Sequence, residues 1–203
     1  VLLHMDGADT STTFTDESGK TWTASGNAQI DTAQSKFGGA SGLFDGTGDY
    51  ISTASNADFS ISGSNFTVDF WVRFNSLPSS GNEQCFVTRS NNIALYNYAF
   101  MVRNTAGTYS FVVDCWNGST SPVSFTQNSP GLSTGVWYHI AFVRSGNSWY
   151  IFQDGTQCGT TVTDSDSFFD AAYDVYVGHL YNTRYLNGWL DEFRISKGVA
   201  RWT

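Results

Sequence analysis

The stretch VWYHIAFVRSGNSWYIFQDGTQ, residues 136–157, decides the fold class of this chain. Apolar and polar residues alternate on both sides of a tight turn at 145–147, and Asp154 and Gly155 mark a second turn. Alternation with a period of two indicates strands with one buried face, and an Asp-Gly pair between strands is a strong hairpin signal. The segment therefore predicts an antiparallel hairpin.

The same alternation recurs along the chain. FTVDFWVRF, residues 66–74, places five apolar side chains on one face and Thr67, Asp69, Trp71 and Arg73 on the other. Further strand candidates are 2–5, 41–46, 49–53, 85–89, 98–103, 109–118, 173–178 and 189–195. No stretch of 12 residues keeps a helical period. Many short strands separated by turn signals predict an all-β fold, a sandwich or a barrel.

Length and composition fit one β domain covering residues 1–203, since such domains run to roughly 200–250 residues. Residue 1 is Val, so we expect a piece of a longer chain. The net charge of −8 disfavours nucleic acid, which needs clustered Lys and Arg. No apolar run reaches the roughly 18 residues of a membrane span, so no membrane insertion is expected.

The three cysteines are Cys85, Cys115 and Cys158. They allow one internal disulfide at most, in three possible pairings, and their spacing offers no zinc site. The favoured interpretation is that they are small buried side chains.

Several segments in order resemble the laminin-G-like, concanavalin-A-like jelly-roll domains of bacterial surface adhesins and viral tail or fibre proteins. The resemblance is carried by LLHMDG, KFGGASGLFDGTGDYI, FTVDFWVRF, VWYHIAFVRSGNSWYIFQDGTQCG, YVGHLY and LNGWLDEFRISKGVARWT. It implies a two-sheet antiparallel sandwich, an extracellular, cell-surface or virion location, and a role in binding glycans or proteins. It does not imply catalysis, because one fold hosts many functions.

The resemblance also implies a structural calcium. In the family, an acidic residue of the NGWLDEFRIS-like strand often binds it, which points to Asp191. The matching partners are Asp6, in HMDG, and the turn around Gly42, in GASGLFDG. Calcium takes six to eight oxygen ligands, and carboxylates from both chain ends would clip the two ends together. The alternative is that Asp191 accepts hydrogen bonds from backbone N–H groups while Asp6 is merely solvated.

Catalysis is not expected. Glycoside hydrolases need two carboxylates across the scissile bond. Asp69, in FTVDFWV, has no second carboxylate two or four residues away, and none of the three glutamates lies in an ExDxxE pattern. His139 alternates with apolar residues on a strand, which favours a packed or hydrogen-bonded histidine.

Candidate ligand contacts come from three aromatic and amide-rich stretches near strand ends. A sugar suits an aromatic platform flanked by polar side chains, and loops often carry binding. The predicted contacts are Trp116 and Asn117, then Tyr96 and Tyr98, then Tyr181 and Arg184. The outer face of residues 69–73, with Asp69, Trp71 and Arg73, is a further candidate, its alternative being a solvated strand face.

The sequence leaves three alternative functions open. The leading hypothesis is a non-catalytic module that binds a glycan or a surface receptor in adhesion or host attachment, with multivalent display raising a weak affinity per site. The second is a structural or protein-interaction domain, a spacer or decoration that binds no glycan. The third is a polysaccharide-degrading enzyme.

Overall fold

The computed structural model describes residues 1–116, 119–181 and 183–203, and confirms the all-β prediction. Two antiparallel sheets pack face to face as a jelly-roll sandwich. The one helical element in the described part is a 3-10 turn at Ala57–Phe59. None of the described helical structure has the length and hydropathy that a bilayer span requires.

The first sheet, here called the large sheet, has the strand order β13-β12-β11-β6-β16-β4-β3, with β1 paired to β16 and β14 to β12. Its strands are β1 (Leu2–Leu3), β3 (Gln29–Asp31), β4 (Ser41–Asp45), β6 (Phe66–Phe74), β11 (Trp137–Ser145), β12 (Ser148–Gln153), β13 (Thr156–Gln157), β14 (Val162–Thr163) and β16 (Asn187–Lys197).

The second sheet, here called the small sheet, has the order β10-β9-β8-β7-β15-β5-β2. Its strands are β2 (Thr23–Ser25), β5 (Tyr50–Thr53), β7 (Glu83–Ser90), β8 (Tyr96–Thr105), β9 (Thr108–Cys115), β10 (Val123–Asn128) and β15 (Asp174–Val177).

Aromatic rings from both sheets fill the core. Phe70 of β6 lies 4.8 Å from Phe86 of β7, and Phe100 of β8 lies 4.9 Å from Phe142 of β11, ring centroid to ring centroid. All five apolar residues predicted to share a face of β6 are fully buried. Burial of such large rings is the main favourable term in folding, and close aromatic pairs add to it.

The first and last strands lie side by side, as the sequence predicts. Leu2 pairs with Arg194 and Leu3 with Phe193, and the Val1 ammonium donates a hydrogen bond to the Ile195 carbonyl at 3.2 Å. β16 therefore holds the chain's start while it also pairs with β6 and β4.

A β-bulge in β16 explains how two adjacent carboxylates fit between two core residues. The pairing with β6 shifts by one residue between Asp191 and Arg194. The extra residue lets Leu190 and Phe193 both face the core, so that Asp191 and Glu192 both stay on the outer side. Glu192 adopts a φ of 50°, a left-handed conformation that non-glycine residues rarely take.

The prediction that Tyr98 contacts a ligand is wrong, because a second bulge places this residue in the core. The pairing of β7 with β8 is irregular between Arg89 and Ser90, where Arg89 faces Tyr98 and Ser90 faces Tyr96. The irregularity turns Tyr96 to the outside and Tyr98 into the core, where Tyr98 stacks on Phe100 at 5.4 Å. Tyr98 is fully buried and cannot meet a ligand at the surface.

All three cysteines are buried free thiols. Burial raises the pKa of Cys85 and Cys115 well above the usual thiol value, and that of Cys158 to about 11. They are therefore neutral at physiological pH and act as small apolar side chains.

Candidate functional site

A pocket of about 380 Å³ opens on the outer face of the large sheet. We call it the Trp71 pocket; its lining residues are Phe37, Asp69, Trp71, His139, Glu192 and Arg194. The outer face of β6 supplies Asp69 and Trp71, because side chains alternate along a strand. Directly opposite, β11 places His139 beside Trp71 and β16 places Arg194 beside Asp69. Three neighbouring strands thus build the floor from paired positions.

Aromatic rings form one side of the Trp71 pocket. The edge of Phe37, which is 48% exposed, meets Trp71 with ring centroids 5.7 Å apart, and His139 lies 5.4 Å from Trp71 on the next strand. Trp202, near the end of the chain, packs on His139 at 5.3 Å. The Lys36 ammonium stands 4.1 Å from the centroid of the Trp71 ring, a cation–π contact.

Charged groups form the other side. Asp69 is only 3% exposed and accepts two hydrogen bonds from Arg194, at 3.0 Å from Nε and 2.7 Å from Nη2. His139 Nε2 lies 3.4 Å from Asp69 Oδ2. Glu192 Oε1 lies 2.7 Å from Nδ1 of His4, and this hydrogen bond raises the pKa of His4. Both carboxylates of the pocket are thus held in place, Asp69 by an ion pair with Arg194 and Glu192 by a hydrogen bond with His4.

This arrangement suits recognition better than hydrolysis. Apolar C–H faces of a sugar pack against aromatic rings, while its hydroxyls need fixed donors and acceptors, here the guanidinium of Arg194 and the carboxylates of Asp69 and Glu192. A glycoside hydrolase needs one carboxyl group that carries a proton and another free to attack or to activate water. A carboxylate in a bidentate pair with arginine is poorly suited to either role.

Asp191 holds the loop that carries Phe37 to the pocket. The backbone N–H groups of Lys36 and Phe37 donate to Asp191 Oδ2 at 2.8 and 3.0 Å. The neighbouring Gly38 has a φ of 61°, and a Cβ there would lie 2.0 Å from the Asp6 carboxylate. Loop 34–39 is therefore hydrogen-bonded to Asp191 on one side and lies against the Asp6 carboxylate at Gly38.

Asp191 accepts the two backbone hydrogen bonds that the alternative interpretation predicts, and Asp6 is exposed, yet Asp191 also shows one feature of a cation ligand. Asp191 is fully buried, and its Oδ1 has no hydrogen-bond partner among the described residues. Burial raises the pKa of Asp191 to about 6, although the two backbone hydrogen bonds lower it, and the nearby Glu192 and Asp6 raise it further. An unpaired, desolvated oxygen beside a second carboxylate fits a bound cation. Within the described residues, no three His, Cys, Asp or Glu side chains cluster as a metal site, so backbone and water oxygens would have to complete it.

Gly42 does not lie at a turn, contrary to the sequence prediction. It is buried inside β4, paired with Ile30 of β3 and Leu190 of β16, and a Cβ there would meet Met5 Sδ at 3.1 Å. Its backbone belongs to the ladder of an interior strand, so we leave Gly42 out of the cation site.

Three of the predicted ligand residues come together on the outer face of the small sheet. The ring of Tyr96 lies 6.2 Å from Trp116 and 5.8 Å from Tyr181. Their polar atoms turn inward, however. Tyr96 donates its hydroxyl to Asp114 Oδ2 at 2.6 Å, and both Trp116 Nε1 and the Tyr181 hydroxyl are buried with no partner within the described residues. Burial accordingly raises the pKa of Tyr96 and Tyr181.

Another predicted residue, Arg184, lies apart from this cluster. Arg184 donates its Nε to Glu83 Oε2 at 2.5 Å, at the end of the sandwich where residues 81–84 and 183–187 meet. Asn117 lies outside the described residues. The prediction that these side chains contact a ligand stays a prediction.

The sequence interpretation identified Trp71 and Asp69 but missed Phe37, Arg194 and Trp202. Alternation within β6 reveals its outer face, but not which strands pair with it. Phe37 and Trp202 come from irregular segments, which carry no periodic signal. The sequence did offer one signal for the site. If β6 and β11 are aligned as antiparallel neighbours, His139 falls opposite Trp71.

Comparison with known proteins identifies the family. Residues 45–202 match the family model described as the concanavalin A-like lectin/glucanases superfamily. No curated protein sequence matches the chain.

Solved structures with a similar fold are distant in sequence. The binding domain of Paraclostridial Mosquitocidal Protein 1 has a TM-score of 0.69 at 16% identity, covering 98% of this chain and 48% of its own. Domain 4 of AbnA, a GH43 extracellular arabinanase from Geobacillus stearothermophilus, was solved in complex with arabinotriose. It has a TM-score of 0.69 at 15% sequence identity, and the match covers 94% of this chain and 88% of that domain. The receptor binding domain of botulinum neurotoxin C/D mosaic serotype has a TM-score of 0.66 at 17% sequence identity, and the match covers 96% of this chain and 46% of that one. The chain thus spans about half the length of the two toxin domains. Fold and family model agree, and the chain belongs to the concanavalin A-like lectin/glucanase superfamily.

Proposed function

We propose that this chain is a non-catalytic binding module that recognises a glycan in the Trp71 pocket. The observation that carries the proposal is the juxtaposition of Trp71, Phe37 and His139 with the fixed Asp69–Arg194 pair. The rings offer a stacking surface, and the ion pair offers donors and acceptors that keep their places when the ligand is absent. Such pre-organisation lowers the entropy cost of binding.

The structural neighbours support a binding role. Two of them are the binding domains of toxins, and the third is a domain of a secreted arabinanase in complex with a trisaccharide. By analogy, the module attaches a larger protein to a glycan or a surface receptor, in adhesion or host attachment, outside the cell or on a virion. Display in several copies would convert a weak affinity per site into firm attachment.

A structural calcium belongs to the same proposal. Asp191, through its unpaired Oδ1, and Asp6 would hold it, together with backbone oxygens of the surrounding loops. The ion would supply a positive charge that neutralises two closely placed carboxylates. The chain's own contribution is to fix loop 34–39 through the hydrogen bonds from Lys36 and Phe37 to Asp191.

A second candidate function is protein interaction, and one observation supports it. Ile93 is 82% exposed at the tip of the loop between β7 and β8. The loop is held in place by Asn91, whose Oδ1 accepts hydrogen bonds from the N–H groups of residues 93–95. Among the large apolar side chains of the described residues Ile93 is the most exposed, so a partner that covered it would bury apolar surface.

A glycan array compared between wild type and Trp71→Ala tests the proposal. We expect wild type to bind a restricted set of glycans, with arabinotriose as an additional soluble probe. Trp71→Ala should weaken this binding roughly tenfold, since stacking on one aromatic ring contributes about 1.4 kcal/mol. Tyr150→Ala is the matched control, because Tyr150 lies outside the pocket on the outer side of β12.

The results separate the two candidate functions. An unchanged array profile for Trp71→Ala would rule out the pocket as the binding site. If wild type binds no glycan but captures a protein receptor in a way that Ile93→Ser abolishes, the protein-interaction function is the correct one.

A further inference from the structure

A second, polar groove of about 340 Å³ lies at one end of the sandwich, between segments 76–84 and 183–187. We call it the Tyr185 groove; the lining side chains used below are Ser76, Asn82, Glu83, Thr183, Tyr185 and Asn187. A smaller depression of about 200 Å³, which shares Asn82, Glu83 and Thr183 with it, extends the groove toward Arg184. Two adjoining depressions offer room for a ligand of more than one sugar ring.

Hydrogen bonds across the groove fix its two walls. Gln84 is 6% exposed, donates its Nε2 to the Ser76 carbonyl at 3.0 Å and accepts from the Asn187 N–H at 3.4 Å. The Asn187 carbonyl accepts from the N–H groups of Asn75 and Ser76 at 3.0 and 3.3 Å. The side chains of Asn75 and Asn187 are joined as well, at 3.0 Å. The shape of the groove thus exists before any ligand arrives.

Tyr185 gives the groove an aromatic wall with rigid backing. Its ring stacks on His179 with centroids 5.6 Å apart and planes at 13°, and His179 stacks in turn on Tyr50 at 4.0 Å and 17°. A ring supported in this way loses little freedom when a ligand packs against it.

The charge in the groove is already paired. Glu83 accepts from Arg103 Nε at 2.7 Å and from Arg184 Nε at 2.5 Å. A carboxylate held between two guanidinium groups remains able to accept further hydrogen bonds through its other lone pairs. Apart from Gly46, Leu77 and Pro78, the remaining lining carries hydroxyl and amide groups, which can donate to and accept from neutral hydroxyls.

We infer that the Tyr185 groove is a second ligand site, which takes an extended neutral oligosaccharide with one sugar ring packed on Tyr185. The ligand class rests on the proposed function, but the site is separate from the Trp71 pocket. Within the described part of the chain, no residue lines both. Two sites on one chain would raise the affinity for a long polysaccharide well above that of either site alone.

The test maps amide chemical shifts of the ¹⁵N-labelled chain during titration with arabinotriose, xylotriose, cellotriose and maltotriose. At least one triose should shift amides of 76–84 and 183–187, in wild type and in Trp71→Ala alike. Tyr185→Ala should weaken this response about tenfold, and Tyr185→Phe, which keeps the ring, should retain it. Ser76→Trp fills the groove from an exposed position and should abolish the response while the melting temperature stays unchanged.

Each outcome decides between the two sites. Shifts confined to the Trp71 pocket for every triose would overturn the groove and leave the proposed function standing. Shifts confined to the groove would support it and leave the Trp71 pocket to be decided by the glycan array. Absence of shifts from the groove with all four trioses would overturn the groove, whatever the array shows for the Trp71 pocket.

Discussion

His179 is a buried base with no hydrogen-bond partner among the described residues. Its ring is 0% exposed, lies between Tyr50 and Tyr185, and leaves both Nδ1 and Nε2 unpaired. Burial lowers the pKa of His179 to about 4. The imidazole is therefore neutral in the folded protein and serves as an aromatic spacer in the stack behind the Tyr185 groove.

The contribution of His179 to stability should fall as the pH drops from 6.5 to 4, while Asp191, whose raised pKa favours the protonated folded state, acts in the opposite direction over the same range. In this range the unfolded histidine, with its ordinary pKa near 6.5, binds a proton that the folded state excludes, so acid favours unfolding. The loss from this one group is about 3 kcal/mol, complete below pH 4 and absent above pH 6.5. Urea unfolding at pH 7, 5 and 4 measures it. His179→Phe keeps the stack without the titration, and an equal pH slope in that variant would show that other groups cause the loss.

Loop 34–39, between β3 and β4, links the predicted cation site to the Trp71 pocket. One side of the loop rests on Asp191 and Asp6, while its side chains Lys36 and Phe37 contact Trp71. We therefore expect a substitution at either carboxylate to alter the positions of Lys36 and Phe37, and with them the wall of the Trp71 pocket.

Replacing two neighbouring glycines of this loop separates backbone strain from contact with Asp6. Gly38→Ala and Gly39→Ala both force alanine into positive φ, 61° and 98°, and each should lose about 1–2 kcal/mol of stability. Only a Cβ at residue 38 collides with the Asp6 carboxylate; at residue 39 nothing lies within 4 Å. We expect Gly38→Ala alone to lose the gain in melting temperature on adding calcium. An equal gain in both variants would show that Asp6 is not a ligand.

The strands themselves follow from the sequence, whereas the irregularities that shape the sites do not. Alternation predicts β6, β11 and β12, because each has one face in the core. The bulges at Asp191–Arg194 and Arg89–Ser90 add a single residue and leave no mark in the pattern. Without them, a strict alternation puts Tyr98 on the same face as Tyr96 and makes two adjacent carboxylates in β16 hard to place.

At the scale of the whole molecule, Asp6 follows the first strand and Asp191 lies in the last. The sequence reveals this pairing of the chain's ends, because both segments are apolar and flanked by Asp, and β1 does pair with β16. A cation between the two carboxylates would close a loop of nearly the full length of the chain, and the entropy lost on closing a loop grows with its length.

Calcium should therefore raise the melting temperature, and a chelator should lower it. With free calcium at a hundred times its Kd, the gain is about 3 kcal/mol. Asp6→Asn and Asp191→Asn should each remove most of the gain, whereas Asp58→Asn, an exposed aspartate paired with Lys20, should keep it. The measurement is thermal unfolding in calcium and in chelator. A midpoint that does not move in wild type would refute the calcium proposal.

The position of β16 also determines when this protein can fold. β16 is the last strand of this domain to be synthesised, yet it stands between β6 and β4 in the interior of the large sheet. Until Asn187–Lys197 has emerged, the sheet consists of two separate halves, each with an unpaired edge open to other chains. A nascent polypeptide that stalls before Asn187 is thus an aggregation-prone fragment rather than a smaller domain, and the large sheet closes only after β16 has emerged.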